Sequence, residues 1–434
     1  AVLLGSDNGG TVTPTDNSVS TGKIVADAIT SAKIADDAVT GDHIASSGAF
    51  AIGAAGTASS LAGIPFYSAD SSIYTHDVSG TDNTAEANAA YGISALDAIT
   101  TGDSNVAIGA QCATDMNTGN KNTMIGKNAF FNATSAAENV VIGFLAGGAG
   151  TATSGYNVII GNEAAEEVSS MSESTVVGYK AATSNTTGSH ILAMGYTAYD
   201  GADTENHNLA IGTSALGGLV AGGEYNVAVG NYSLGATTSG DNNTGVGYQA
   251  LGTHSSGTSN TAVGYQAMSA GNITGNYNTA VGVQASNNAT SGQNNTSLGY
   301  SAANDAVYSL TNESHRIVIG NNNNTDAYIK IDWTVTSDAR DKMNFEDVPH
   351  GLDFVNQLTP IKFHFKKSRD DETPHGKARY GFKAQDILAL EGDNPVIIDN
   401  EKSEHLKYKG EHLVPVLVNA VKELSAKVKA LEDA

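Results

Sequence analysis

The sequence predicts a mainly β, elongated parallel β-solenoid (a β-roll shaft), followed by an α+β C-terminal domain that ends in a helix. Three observations carry this. A glycine recurs every 17 or 18 residues from Gly92 to Gly299. A unit that short cannot hold a helix pair, and its polar half has no 3.6-residue apolar period. The composition then breaks: residues 1–336 hold 7 basic and 27 acidic side chains, whereas residues 337–434 hold 15 and 18.

Residues 1–45 form a smaller repeat. Lys23-Ile24, Lys33-Ile34 and His43-Ile44 recur at ten residues, with Ile29 and Val39 midway. Such decads resemble the collar or stalk segments of phage tail fibres. Residues 46–87 are rich in Ser, Ala and Gly around Pro65, Phe66 and Tyr67, a connector or small β subdomain.

Residues 88–304 are the roll. The glycines are Gly92, Gly109, Gly126, Gly143, Gly161, Gly178, Gly195, Gly212, Gly230, Gly247, Gly264, Gly282 and Gly299, with a degenerate echo at Gly320. Asn stands four residues earlier in eleven of these thirteen units; the exceptions are Ser174 and Ile191. Seventeen residues suffice for two short strands and two turns, so stacked coils pair strand on strand at about 4.8 Å. Alternation predicts that Val229, Val246, Val263 and Val281 point inward as one ladder. Asn at a fixed position predicts amide-to-amide bonding along the axis. Residues 305–336 form a capping or tip segment.

Composition excludes several classes. The net charge of −23 repels a phosphate backbone, so nucleic acid is not expected as a partner. Cys112 is the single cysteine, which rules out an intramolecular disulfide and a cysteine-based zinc cage. No apolar run reaches the roughly 18 residues of a membrane span, and no membrane insertion is expected. There is no His-Glu-x-x-His and no Gly-rich phosphate loop, so neither metal nor cofactor is expected. Glu163, Glu166 and Glu167 form one carboxylate cluster, and Asp200, Asp203 and Glu205 another. A glycosidase needs two carboxylates facing across a cleft, and these sit in turn-like stretches where solvated charge is the ordinary explanation.

The Asn-x-Ala-Val-Gly units resemble the head repeats of trimeric autotransporter adhesins, although 17–18 residues is longer than the compact adhesin coil. That resemblance implies a left-handed roll in a homotrimer; spacing alone gives neither handedness nor trimer. The final quarter reads Ser337-Asp338-Ala339-Arg340-Asp341-Lys342, then Gly351-Leu352-Asp353-Phe354-Val355, Tyr380-Gly381-Phe382-Lys383-Ala384-Gln385 and a closing amphipathic helix from about His412. This order resembles the C-terminal intramolecular chaperone of endosialidase-type phage tailspikes and tail fibres, across residues 337–434. The resemblance implies a domain that trimerises, folds the fibre and cleaves itself off between Thr336 and Ser337. Ser337 would be the nucleophile and Lys342 the base, making it a serine/lysine self-cleaving endopeptidase acting only in cis. A serine hydroxyl needs such a base within reach, and lysine serves only when neutral. Arg340 nearby would favour the neutral form, and Asp338 or Asp341 would oppose it. Some relatives of such domains keep the fold without cutting.

Two segments bear on partners. Tyr328 and Trp333, beside Asn322 and Asn323 in the Asn321–Asn324 run, suit sugar binding; the segment equally suits a capping strand over the open solenoid edge, and one stretch can serve as both. Val414, Leu417, Val421, Leu424, Val428 and Leu431 alternate at three and four, a heptad seam, although Val/Leu alternation leans towards dimers. The alternative is a helix packed on its own domain. The function expected is a homotrimeric phage tail fibre or tailspike in the virion tail. It joins tail or baseplate proteins at its N-terminal end and binds a host surface glycan or protein. The alternatives are a bacterial trimeric surface adhesin and a polysaccharide-degrading tailspike.

Overall fold

A computed structural model describes residues 59–61, 64–69, 72–75 and 83–434, except 149–152, 202–203, 219–221, 237–238, 305–307 and 332. The decads, and Asp203 of the second carboxylate cluster, lie outside the described residues.

Three short strands lead in: β1 (Ser59–Leu61), β2 (Ile64–Ala69) and β3 (Ser72–Tyr74), with β2 antiparallel to β3. β3 pairs in parallel with β4 (Ala89–Tyr91), the first strand of a parallel solenoid. Among the described residues, thirteen three-residue strands run from β4 to β16 (Thr296–Leu298), each in the same register on the next. Between coils Val227 sits opposite Thr244, Ala228 opposite Gly245 and Val229 opposite Val246. The echo at Gly320 is a real last rung, since β17 (Ile317–Ile319) pairs with β16.

Each coil holds one strand, not the two expected. The half after the glycine carries left-handed residues, such as Gln249 and Leu251, both at φ 53°, and no strand accommodates these. They cost roughly 1–2 kcal/mol apiece. Coil-to-coil hydrogen bonds offset that cost, as where Leu251 N–H donates to the Ala267 carbonyl at 3.0 Å. The glycine row is dictated by close approach: at Gly247, φ 133°, a Cβ would lie 2.5 Å from the Gly264 carbonyl oxygen.

The expected inward valine ladder is also corrected. The middle residue of each strand points in, so Ala228, Ala262 and Ala280 are buried while Val263 and Val281 are each 36% exposed; Val229 and Val246 are likewise only partly covered. The buried Asn sets the phase. With Asn226 inside, alternation puts Val227 out, Ala228 in and Val229 out. The core is therefore built from small strand residues, the alanine row that includes Ala129, Ala181 and Ala250, and larger side chains such as Phe130, Leu216 and Leu251. Cys112 belongs to it, and burial pushes its thiol up to about 12.

The Asn ladder forms as expected and does more than bond amide to amide. The Asn260 Nδ2 donates to Asn243 Oδ1 at 3.3 Å and to the Gly275 carbonyl at 2.9 Å, while Asn260 N–H donates to the same Asn243 Oδ1 at 2.9 Å. Ser174 continues the ladder: it donates its N–H to Asn157 Oδ1 and its hydroxyl oxygen accepts from Ile191 N–H, both at 3.1 Å. The Ile191 side chain offers no acceptor, so the side-chain relay breaks there and resumes where Asn226 N–H donates to Asn208 Oδ1.

The C-terminal domain has α1 (Leu352–Gln357), a hairpin of β18 (Ile361–Lys366) and β19 (Pro374–Gly381), α2 (Ala384–Glu391), a short pair β20 (Ile398–Asp399) and β21 (Lys407–Tyr408), and α3 (Leu413–Glu432). Its core is small: Phe354, Ile387, Ile397, Ile398, Leu413 and Val416. Carboxylates from elsewhere in the chain take up backbone N–H groups, at the start of α1 and ahead of β20. Glu423 of α3 accepts from Leu352 N–H at 2.8 Å, and Glu391 accepts from the N–H groups of Val396, Ile397 and Ile398 at 2.6–2.9 Å. Only Leu413, Val416 and Ala420 of α3 are buried; the six heptad residues are all exposed. Packing on its own domain thus uses a different face of the helix from the seam.

Candidate functional site

Ser337 and Lys342 meet because the chain folds back between them. Asp338 caps a single 3₁₀ turn, Ala339–Asp341, by accepting Arg340 N–H at 2.9 Å. The turn reverses the direction of the backbone, and Lys342 returns its ammonium to donate to Ser337 Oγ at 2.6 Å. With lysine neutral, the same contact runs the other way: Nζ accepts the hydroxyl proton and Oγ is left to attack.

Arg340 is otherwise engaged. Its guanidinium grips Asp338 with Nε at 3.1 Å from both carboxylate oxygens and Nη2 at 2.6 Å from one. Arg340's hydrogen bonds hold the Asp338 carboxyl below its usual range, and Asp338 raises Arg340 in return. The two supporting residues therefore brace the turn, and Arg340 contacts Asp338 instead of Lys342. Ser337 and Lys342 are both exposed in the single chain. A cleft of about 530 Å³ between the Glu346–His350 stretch and the start of α3 lies apart, with neither residue in its lining.

The receptor candidates separate into two groups. The Asn run is spent on closing the last coil: Asn321 Nδ2 donates to the Tyr300 carbonyl at 2.8 Å, Asn321 N–H to Asn324 Oδ1 at 2.7 Å and Asn323 N–H to Asn321 Oδ1 at 2.9 Å. Asn322 is partly covered and Asn323 exposed within this turn. Tyr328 and Trp333 stand in solvent beyond it, 88% and 74% exposed.

The carboxylate clusters are also accounted for. Glu163 pairs with Lys180 at 3.1 Å, and Glu205 accepts from the backbone N–H of Thr204 and Gly222. Burial, then the neighbouring Glu163, raises Glu166; burial raises Asp200. Among the described residues no three His, Cys, Asp or Glu side chains gather as a metal-binding group, and no helix is long and apolar enough to cross a membrane.

Sequence reasoning missed one cluster, Tyr308, Glu313 and Arg316 of the last coil with Glu401, Lys402 and Lys407 of the C-terminal domain. The available signal was the step of 21 residues from Gly299 to Gly320, longer than any other in the roll.

Residues 337–394 match the family described as chaperone of endosialidase. The match stops short of α3, which the sequence resemblance had included. No curated protein and no solved structure matches the chain. The matched segment opens on Ser337 itself, and a chaperone-of-endosialidase domain at the end of a β-solenoid fits a tailspike or fibre with a C-terminal chaperone.

Proposed function

We propose that this chain is a homotrimeric phage tail fibre or tailspike whose C-terminal domain assembles the shaft and then cuts itself off between Thr336 and Ser337. The observation that carries the reading is the 2.6 Å contact between Lys342 Nζ and Ser337 Oγ, at the first residue of the matched domain. In the reaction, neutral Lys342 takes the Ser337 hydroxyl proton and Oγ attacks the Thr336 carbonyl carbon. The peptide C–N bond breaks and the nitrogen takes up a proton, leaving an ester. Water then hydrolyses that ester to a Thr336 carboxylate and a free Ser337 hydroxyl.

Trimerisation would supply the burial that favours a neutral lysine. Two exposed apolar features support it: the outward strand residues, among them Ile108, Met194, Val263 and Leu298, and the α3 seam. Covering each half-exposed Val or Ile contributes about 1 kcal/mol, repeated coil after coil. The shaft would then bind a host surface glycan or protein, with Tyr328, Trp333 and the polar turns as its contact surface, and join the tail at its N-terminal end. A gel of the expressed protein tests the reading. Two bands from the parent and one from Ser337→Ala are expected; a single full-length band from both would sink it.

A further inference from the structure

The last coil, set off by the step of 21 residues from Gly299 to Gly320, presents Tyr308, Glu313 and Arg316 as a receiving surface. Glu313 and Arg316 stand on this coil with opposite charge; Lys402 and Glu401 stand on the loop between β20 and β21 in the crossed order. Lys402 pairs with Glu313, whose side chain is only 7% exposed, and Arg316 pairs with Glu401 at 2.7 Å. Lys402 also donates to the Ser309 carbonyl at 3.4 Å, and the Lys407 ammonium lies 4.3 Å from the Tyr308 ring centroid. Glu313 is fixed independently by accepting from Thr311 N–H at 2.8 Å and Asn312 N–H at 3.2 Å, so its carboxylate waits in place for the lysine. These contacts join residues 85–99 positions apart, on opposite sides of the Thr336–Ser337 bond.

We infer that this crossed pair is a latch, which keeps the C-terminal domain seated on the last coil after the chain between them is cut and frees it when ionic strength rises. The inference rests on the proposed cleavage for its biological setting, but the contact itself does not. A partly buried pair on pre-positioned groups resists screening at moderate salt, whereas the more exposed Arg316–Glu401 pair does not. Release is therefore graded by salt.

The test cuts the chain by other means. In a Ser337→Ala background, a site-specific protease sequence replaces residues 333–336, and the cut protein is run on size exclusion at roughly 20 mM and about 1 M NaCl, where the screening length falls to about 3 Å. Co-elution at low salt and separation at high salt are expected. Arg316→Ala with Lys402→Ala should separate already at low salt, with dissociation at least about tenfold faster. The exchange Arg316→Glu with Glu401→Arg should restore retention, which guards against a variant that is merely misfolded. Separation of the unaltered latch at low salt overturns the inference. So does retention that neither salt nor the double alanine variant changes. Self-cleavage is read separately in the Ser337 parent, so either idea can fail while the other stands.

Discussion

At the residue scale, the Ser337–Lys342 turn separates lysine from arginine. Lys342→Arg keeps the positive charge and can still donate to Ser337 Oγ, but a guanidinium does not give up its proton. Its cleavage should fall to the level of Ser337→Ala, measured as the fraction of cut chain over a day. Arg340→Ala should act differently, loosening the turn that Asp338 caps and slowing cleavage without abolishing it. In the roll, Asn243→Ala removes the acceptor for Asn260 N–H and the donor to the Gly257 carbonyl, both buried. About 1–3 kcal/mol should be lost, read as a lower melting temperature. His254 is buried in the row that Ile99, Met116 and Val168 fill elsewhere, as is Asn185. Burial pushes its imidazole down to about 4, against a weak pull from the Gly257 backbone. The unfolded chain therefore takes up a proton near pH 6.5 that the folded one refuses until about 4. Stability from this group is full above 6.5 and lost as the pH falls towards 4. Thermal melts of His254→Leu should show less acid sensitivity than the parent over that window.

At the scale of elements, the latch has a pH signature of its own. Burial alone would raise the Glu313 carboxyl, but the Lys402 hydrogen bond and the backbone N–H groups outweigh it and hold the group at about 2. A depressed carboxyl contributes above its ordinary range and fails only as the pH drops through its folded value. The cut domain should thus stay on the shaft at pH 4 and leave towards pH 2, as followed by size exclusion. The α3 seam gives a separate outcome: Val421→Asp with Leu424→Asp should lower the mass seen by light scattering, because those side chains face away from the domain's own core. The elements also show what the sequence could convey. The glycine spacing marked every coil and the asparagine spacing eleven of the thirteen, because both residues are demanded by backbone geometry and hydrogen bonding that repeat with the coil. The direction of the valines was not legible, since a three-residue strand alternates equally well in either phase. The buried Asn chooses the phase, and its burial is a tertiary fact. The second strand per coil failed for a similar reason: left-handed residues such as Leu251 and Gln249 are not of types that announce a turn.

For the whole molecule, the composition break near residue 336 separates two ways of being stable. The shaft stacks buried apolar side chains and asparagine, and it leaves an apolar outer row exposed in the single chain. The C-terminal domain has a core of six buried side chains, caps the start of α1 with Glu423 from a distant element, and leaves most of its longest helix uncovered. Both parts leave apolar surface exposed in the single chain, and the proposed assembly, cutting and retention would each follow from the one before. The Ser337–Lys342 pair was named from the family resemblance, and one local turn brings its two side chains to 2.6 Å; the crossed ion pairs had no such sign in the sequence, because they join residues 85 or more apart through folded surfaces. The most direct measurement is the intact mass of the purified, freshly expressed chain. The account predicts two products, residues 1–336 and a fragment whose first residue is Ser337, with Ser337→Ala giving only the uncut mass. Uncut mass alone from the parent, or a fragment beginning at any other residue, would contradict it.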